Sequence, residues 1–358
     1  MNFNTAWMKI VRMMLFPFAL FYGLAVKARN WLYNKNIIKS SRFNFPLIAV
    51  GNLSVGGTGK SPMVEYLIRL LLPEYNIATL SRGYKRKTRG YVLADERTTA
   101  IDIGDEPMQF HNKFPGVTVA VCEERAFAVP QILYDKPGTD VIILDDAFQH
   151  RQVDAGLNIL LTDYNNPFYK DFFLPTGDLR DAKSSYKRAG IIVVTKCPQD
   201  ISREEKDIVA DKIKALPEQH LFFTGIKYGT PYHLVTKEGV VLNEQTDVLL
   251  VCGIASPKPL KAFIKERVNE LSVLHYRDHY IFTIDDLRHI KKQFDAIASS
   301  QKIIIVTEKD AVRLIKFQAE LKDMPVYVLP IEPYFLFNGS GKFNYLVKKF
   351  IKDFKVKS

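Results

Sequence analysis

Three short segments carry residue types that phosphoryl transfer requires. The first is IAVGNLSVGGTGKSP, residues 48–62, where an apolar run passes through a glycine-rich loop into Lys60-Ser61 and an amphipathic stretch. That is the strand–loop–helix context of a P-loop. Gly56, Gly57 and Gly59 let the backbone curl so that N–H groups face phosphate oxygens. The helix that follows directs its positive end at the same anion. The nucleotide-binding candidates are therefore Ser54, Val55, Gly56, Gly57, Thr58, Gly59, Lys60 and Ser61. Lys60 would reach the β- and γ-phosphates and the Ser61 hydroxyl would ligate Mg²⁺. One departure is that Ser54 stands where the strict pattern has glycine.

The second segment is VIILDDAFQH, residues 141–150. An apolar strand ending in Asp145-Asp146 puts a carboxylate beside the nucleotide's metal. The third is IGDEP, residues 103–107, where Asp105 and Glu106 precede a helical pattern. One of this pair could serve as base and the other as metal ligand; equally, Asp105 could simply cap the helix. SRGYKRKTRG, residues 81–90, holds Arg82, Lys85, Arg86, Lys87 and Arg89 and reads as a clamp for a phosphorylated acceptor or as a solvated basic loop. In HYRDHY, His275 and His279 stand four apart, but no Glu follows the first as a helical zinc motif requires. Guanine specificity lacks its signature: TKCP at 195–198 has Pro198 where Asp is needed, and TEKD at 307–310 has the wrong spacing. ATP is the expected nucleotide.

The elements that must position these residues are legible as apolar runs. PLIAV (46–50), IATL (77–80), VTVAV (117–121), VIIL (141–144), NILL (158–161) and GIIVV (190–194) are apolar on both faces, as buried parallel strands are. SPMVEYLIRLLL and SREEKDIVADKIKAL supply helical patterns between strands. The expected fold is α/β, a P-loop type wound, mostly parallel sheet with a smaller carboxy-terminal α/β domain joined by a β linker. The expected boundaries are an amphipathic segment at 1–34, a kinase-type core at 35–225, a β-hairpin linker at 226–245, a small domain at 246–330 and a basic segment at 331–358.

Charge supports that division. The chain of 358 residues has a net charge of +11, which by itself suggests nucleic acid or anionic membrane. Residues 1–64 have a balance of +8 with no acid, 342–358 have +5, and the body between them is −2. A nucleic-acid enzyme would carry its basic stripe on the folded body, so none is expected as a partner. Cys122, Cys197 and Cys252 are odd in number and lie in apolar surroundings, which disfavours a disulfide framework and favours a reducing compartment. The uncharged run Met13–Val26 would span about 21 Å as a helix, short of a hydrocarbon core of about 30 Å. With Arg12 and Lys27 flanking it, and Trp7, Trp31 and Tyr33 around it, it reads as an interfacial anchor or, as short apolar runs often are, an ordinary buried first helix.

Taken in order, GNLSVGGTGKSP, LSRGYKR, GDEP, DDAFQH, LPTGDLRDAK, GIASPKPL, RDHYIF and TEKDAVRL resemble the tetraacyldisaccharide 4′-kinase family of lipid A synthesis. The resemblance runs from about residue 45 to 314. It implies an ATP- and Mg²⁺-dependent kinase on the cytoplasmic face of the inner membrane. Its substrate would be an acylated glucosamine disaccharide 1-phosphate, with no obligate protein partner. By motif, Asp105 resembles the family's catalytic base and His279 its partner. Glu106 and Asp145 look like metal-side acids, while Arg82, Tyr84, Arg125, Asp146, Gln149 and His150 match positions lining the site. Departures from the usual pattern are Ala147 and Lys85 where glycine is common, and Asp178 where proline is common. Ala147 would strain its loop if that position needed a positive φ. Two other readings are a P-loop NTPase acting as a switch or metallochaperone, and a non-enzymatic membrane adaptor. The first lacks Cys/His metal clusters and the second would not need Lys60, Ser61, Asp105 and Asp145.

Overall fold

The computed structural model describes residues 12–357. All six apolar runs are strands. In chain order the large lobe contributes β1 (Leu47–Asn52), β2 (Ile77–Ser81), β3 (Val92–Leu93), β4 (Thr118–Val121), β5 (Val141–Asp145), β6 (Leu157–Asp163), β7 (Ile191–Thr195) and β8 (His220–Tyr228). A smaller lobe contributes β9 (Tyr232–His233), β10 (Asp247–Cys252), β11 (Glu270–His275), β12 (Lys302–Thr307) and β13 (Val326–Leu329), and the chain then returns as β14 (Ile331–Phe335).

The large sheet has nine strands in the order β14-β8-β7-β6-β1-β5-β2-β4-β3. It is parallel throughout its centre and antiparallel only at its two edge pairs. Every residue of β1, β2, β5 and β7 is buried, because helices cover both faces. The small sheet has the order β9-β13-β12-β10-β11.

The covering helices are α1 (Phe16–Asn34), α2 (Lys60–Leu71), α3 (Asp105–Lys113), α4 (Arg125–Asp135), α5 (Arg203–Ile213), α6 (Lys258–Lys265), α7 (Ile284–Asp295), α8 (Glu308–Leu314) and α9 (Gly339–Lys357). On α2, the buried Met63, Val64, Leu67, Ile68 and Leu71 form one apolar stripe against Ile48, Val50 and Ile143 of the sheet. A Ser202–Glu205 capping box starts α5.

Two stretches differ from the sequence reading. The basic segment at 331–358 belongs to the large lobe. Its β14 pairs with β8, and Phe343, Val347 and Ile351 on α9 enter the same core as α2. Their spacing of four leaves Lys348 outward, paired with Glu74. The hairpin expected within 226–245 is only a bridge between Tyr232 and Gly239; β9 pairs instead with β13 of the small sheet. The chain thus crosses between the lobes twice, out after β8 and back into β14.

Candidate active site

The carboxy ends of the adjacent parallel strands β5, β1 and β2 open on one edge, where wound sheets bind ligands. From β1 the chain enters residues 53–59 and then α2, whose N-cap is Gly59 at φ +85. The Thr195 hydroxyl at the end of β7 donates to the Thr58 carbonyl at 2.8 Å and fixes the far side of the loop. The first two positions of the candidate loop, the departing Ser54 and Val55 after it, are already engaged. The Ser54 hydroxyl lies 3.3 Å from Asp171 Oδ2, and the Val55 N–H donates to the Asp178 carbonyl at 2.7 Å. Gly56 through Ser61 form the concave part, with Gly56 and Gly57 open to solvent and Ser61 buried.

Lys60 reaches across the loop to Asn52 Oδ1 at 3.3 Å and Asp146 Oδ1 at 3.5 Å. Arg180 meets the same two side chains, at 2.8 Å to Asn52 and 3.0 Å to Asp146. Asp145, directly before, is buried with Oδ1 unpaired and Oδ2 3.4 Å from the Ser81 hydroxyl. Burial, reinforced by the nearby Glu106 and Asp146 charges, pushes its carboxyl up to about 7. Asp146 is held far below the usual range: burial opposes ionisation, but the Lys60 and Arg180 charges outweigh it. Two neighbouring acids are thus driven apart by their surroundings.

Asp105 opens α3. Its N-cap, Gly104, sits at φ +91 against the Tyr84 carbonyl, 3.0 Å from where a Cβ would stand. The Asp105 side chain makes no cap bond; Oδ2 accepts from His279 Nδ1 at 3.0 Å and from Arg313 Nε and Nη2 at 3.0 and 2.6 Å. Burial raises its pKa, yet these hydrogen bonds and charges outweigh it and bring the carboxyl down to about 2. Glu106 Oε1 accepts from Lys309 Nζ at 2.8 Å. Burial again works against the charge, and Lys309 and then Lys60 lower the pKa below its usual value. His279 lies on the loop after β11 in a left-handed conformation (φ +59), with Tyr84 edge-on to its ring at 5.5 Å. His275 ends β11 and bonds the Ile254 carbonyl, so the two histidines do not share a helix turn.

The remaining expected residues lie behind or around these acids. Arg125 is 1% exposed; its guanidinium reaches only the Glu123 and Asp145 carbonyls, at 3.5 Å, and its Nε is unpaired. Burial, and then the Arg125 charge, push His150 down to about 4, which leaves it neutral at pH 7. Gln149 Nε2 lies 3.5 Å from the Asp146 carbonyl. Arg82 and Tyr84 are exposed at the rim. Within the basic loop Arg86 is no clamp residue, since it is buried against Glu123 at 2.7 Å. Ala147 has no positive φ; the left-handed positions are Lys85 and Asp146, so the strain foreseen at Ala147 falls on its neighbour.

Asn52, Arg180, Lys309 and Arg313 are the charged or polar partners that residue-by-residue reading passed over. Their signals were present: Lys309 and Arg313 stand four apart in TEKDAVRL, and Arg180 closes GDLR. Among the described residues no group of three His, Cys, Asp or Glu side chains forms a metal cage. The oxygen donors of Ser61, Glu106 and Asp145 instead suit a cation that keeps water and phosphate ligands, as Mg²⁺ does.

A glycine-rich loop at a helix start, paired acids on the neighbouring strand and a carboxylate held across a cleft define a P-loop phosphotransferase. The family model for tetraacyldisaccharide-1-P 4′-kinase matches residues 11–352, and the chain belongs to that family. Relatives named tetraacyldisaccharide 4′-kinase include one from Flavobacterium johnsoniae, 46% identical with 97% of this chain and 99% of that one covered. Another, from Bacteroides thetaiotaomicron, is 44% identical with 95% and 93% covered. A crystal structure of LpxK from Aquifex aeolicus in complex with ATP superposes with a TM-score of 0.74. It is 26% identical and covers 95% of this chain and 99% of that one. The resemblance drawn from the motifs is borne out.

Proposed function

We propose that this chain transfers the γ-phosphate of ATP to the 4′-hydroxyl of an acylated glucosamine disaccharide 1-phosphate. The observation that carries the chemistry is Asp105: a carboxylate kept ionised, tied down through Oδ2 alone, in the cleft that also holds Lys60. Oδ1 is then the oxygen that takes the proton of the acceptor hydroxyl. The 4′-oxygen attacks the γ-phosphorus, the bond from that phosphorus to the bridging oxygen of ADP breaks, and ADP leaves with the bonding pair. Lys60 and the loop amides from Gly56 to Ser61 hold the triphosphate. Mg²⁺ fits beside Ser61, Glu106 and Asp145, where the buried Asp145 Oδ1 has no other partner; when bound it neutralises phosphate charge. Arg82 and Tyr84, exposed at the rim, and the half-buried Gln149 and His150 would meet the acceptor, while the buried Arg125 stands behind Asp145 and Asp146 holds Lys60 and Arg180.

The substrate's acyl chains call for a lipid surface, and α1 offers a face for one. Ala19, Gly23, Val26 and Asn30 form its inner side, while Phe16, Phe18, Leu20, Phe21, Leu24 and Trp31 are exposed. That is the reverse of an ordinary surface helix, and it suits a helix lying in a membrane interface. No helix among the described residues is long and apolar enough to cross a membrane. Trp7, expected in the same anchor, lies outside the described residues. The test is transfer of labelled γ-phosphate from ATP to a lipid A disaccharide precursor in detergent. Nucleotide turnover without phosphorylated lipid would overturn the reading in favour of an NTPase.

A further inference from the structure

We propose that Arg313 is a positioning residue for the transfer, holding Asp105 by one oxygen so that the other faces the acceptor hydroxyl. This rests on the reading of Asp105 as the base. Three donors converge on Asp105 Oδ2, and all of them, His279 Nδ1 and Arg313 Nε and Nη2, come from the small lobe. Arg313 contributes two of the three bonds and is itself fixed from behind. Its Nη1 lies 3.4 Å from Asp310 Oδ1, and Asp310 Oδ2 accepts from the Thr307 hydroxyl at 2.6 Å and from the Gly253 N–H at 3.0 Å. The guanidinium is therefore anchored to the ends of β10 and β12 before it reaches the large lobe.

The need for such a brace follows from where Asp105 sits. It is the first residue of α3, and the N-cap, Gly104, has no side chain to accept the helix's free amides. A carboxylate at that position turns back to accept those amides unless something stronger holds it. A forked guanidinium bonding twice to one carboxylate does so, and its planar geometry also sets the direction of the carboxylate. Lys309, one helical turn earlier on α8, takes Glu106 in the same way, so two cations on one helix face meet two consecutive acids. Because every bond to Oδ2 crosses the cleft, the base is assembled only while the lobes are together. An open enzyme with ATP bound would have no oriented base to spend on water.

The experiment measures kcat and both KM values for the full chain in detergent, with Mg-ATP binding measured separately. Wild type, Asp105→Asn, Arg313→Met and Arg313→Lys are compared. Arg313→Met is expected to lower kcat about 100-fold, the scale of a misplaced catalytic group, with KM for ATP and lipid within about threefold. Arg313→Lys, which keeps the charge and loses the fork, is expected to recover to about a tenth of wild-type kcat. Should Arg313→Met fail to fold, the lysine variant carries the test: wild-type kcat in it overturns the proposal. A loss that falls on ATP binding with kcat intact also overturns it, because that marks a structural role. Full activity in Asp105→Asn removes the base reading and this inference with it. An inactive Asp105→Asn beside an unaffected Arg313→Met overturns only the inference.

Discussion

Replacing Phe18, Phe21 and Leu24 together with glutamine tests the membrane reading where the structure makes it quantitative. These side chains stand on the outer face of α1 and are 64%, 73% and 63% exposed. Fully burying a Phe or Leu side chain contributes about 1.5–3 kcal/mol. With about two-thirds of each side chain available to lipid, each adds about 1–2 kcal/mol and the three together about 3–6 kcal/mol. At 1.4 kcal/mol per factor of ten, the triple variant should partition about 10²–10⁴-fold less onto vesicles containing anionic phospholipid. Glutamine keeps helix propensity, and these side chains leave the core untouched, so Tm should move by no more than about 2 °C. The inner face gives the control. A Cβ at Gly23 would stand 2.7 Å from Phe173 Cδ2, so Gly23→Val should cost about 1–3 kcal/mol of stability by overpacking. Cosedimentation with vesicles and thermal melts read the two effects separately. Unchanged partitioning of the triple variant would refute the reasoning, and so would a large fall in its Tm.

Asp145→Asn should stabilise the metal-free protein. A carboxyl raised from 3.8 to about 7 binds its proton more tightly when folded, so wild-type stability falls as pH rises from about 4 to 7. The shift corresponds to at most about 4 kcal/mol. Denaturation curves in chelator should therefore show the variant ahead at pH 8 and the gap closing toward pH 4, while Mg²⁺-dependent activity is lost. Lys113 bridges Glu65 of α2 at 2.6 Å and also contacts Glu308 of α8. Lys113→Met leaves two buried acids facing each other and should cost about 3–5 kcal/mol in urea unfolding at pH 8, and less as the pH falls, because burial and then the Glu65 charge raise the Glu308 pKa. Lys60→Ala should abolish transfer while leaving Tm within about 2 °C, because Arg180 still pairs with Asp146.

The sheet was legible because its central strands are buried on both faces and so read as unbroken apolar runs. The edge strand β14 and its neighbour β8 were not, since each is only partly buried and mixes in residues such as Lys227 and Glu332. Similarly, α9 looked like a basic tail because Lys348, Lys349 and Lys352 dominate its composition, while Phe343, Val347 and Ile351 fill the core. In the site, the local motifs named the acids and the phosphate loop. The choice between cap and functional acid at Asp105 stayed open because its partners lie 174 and 208 residues away. No periodicity reports such a contact. The family resemblance supplied His279, and only the folded chain brings Arg313 to Asp105.

That division has a physical reason. A phosphate loop is made by consecutive residues, since the anion is bound by neighbouring amides and one helix end, and its signature must be local. A base that should act only on the acceptor is better held by groups from another lobe, so that opening the cleft disarms it. Asp105 meets that requirement: burial alone would raise its pKa, and the groups that keep it charged, Arg313 and His279, both lie across the cleft. Separating the lobes would therefore remove the donors that orient the carboxylate and leave it in water, still ionised but undirected. On this argument the twofold crossing of the chain, out after β8 and back into β14, has a chemical purpose. It keeps β11, which leads to the His279 loop, and β12, which leads to α8, in one small sheet whose groups meet Asp105 and Glu106 across the cleft.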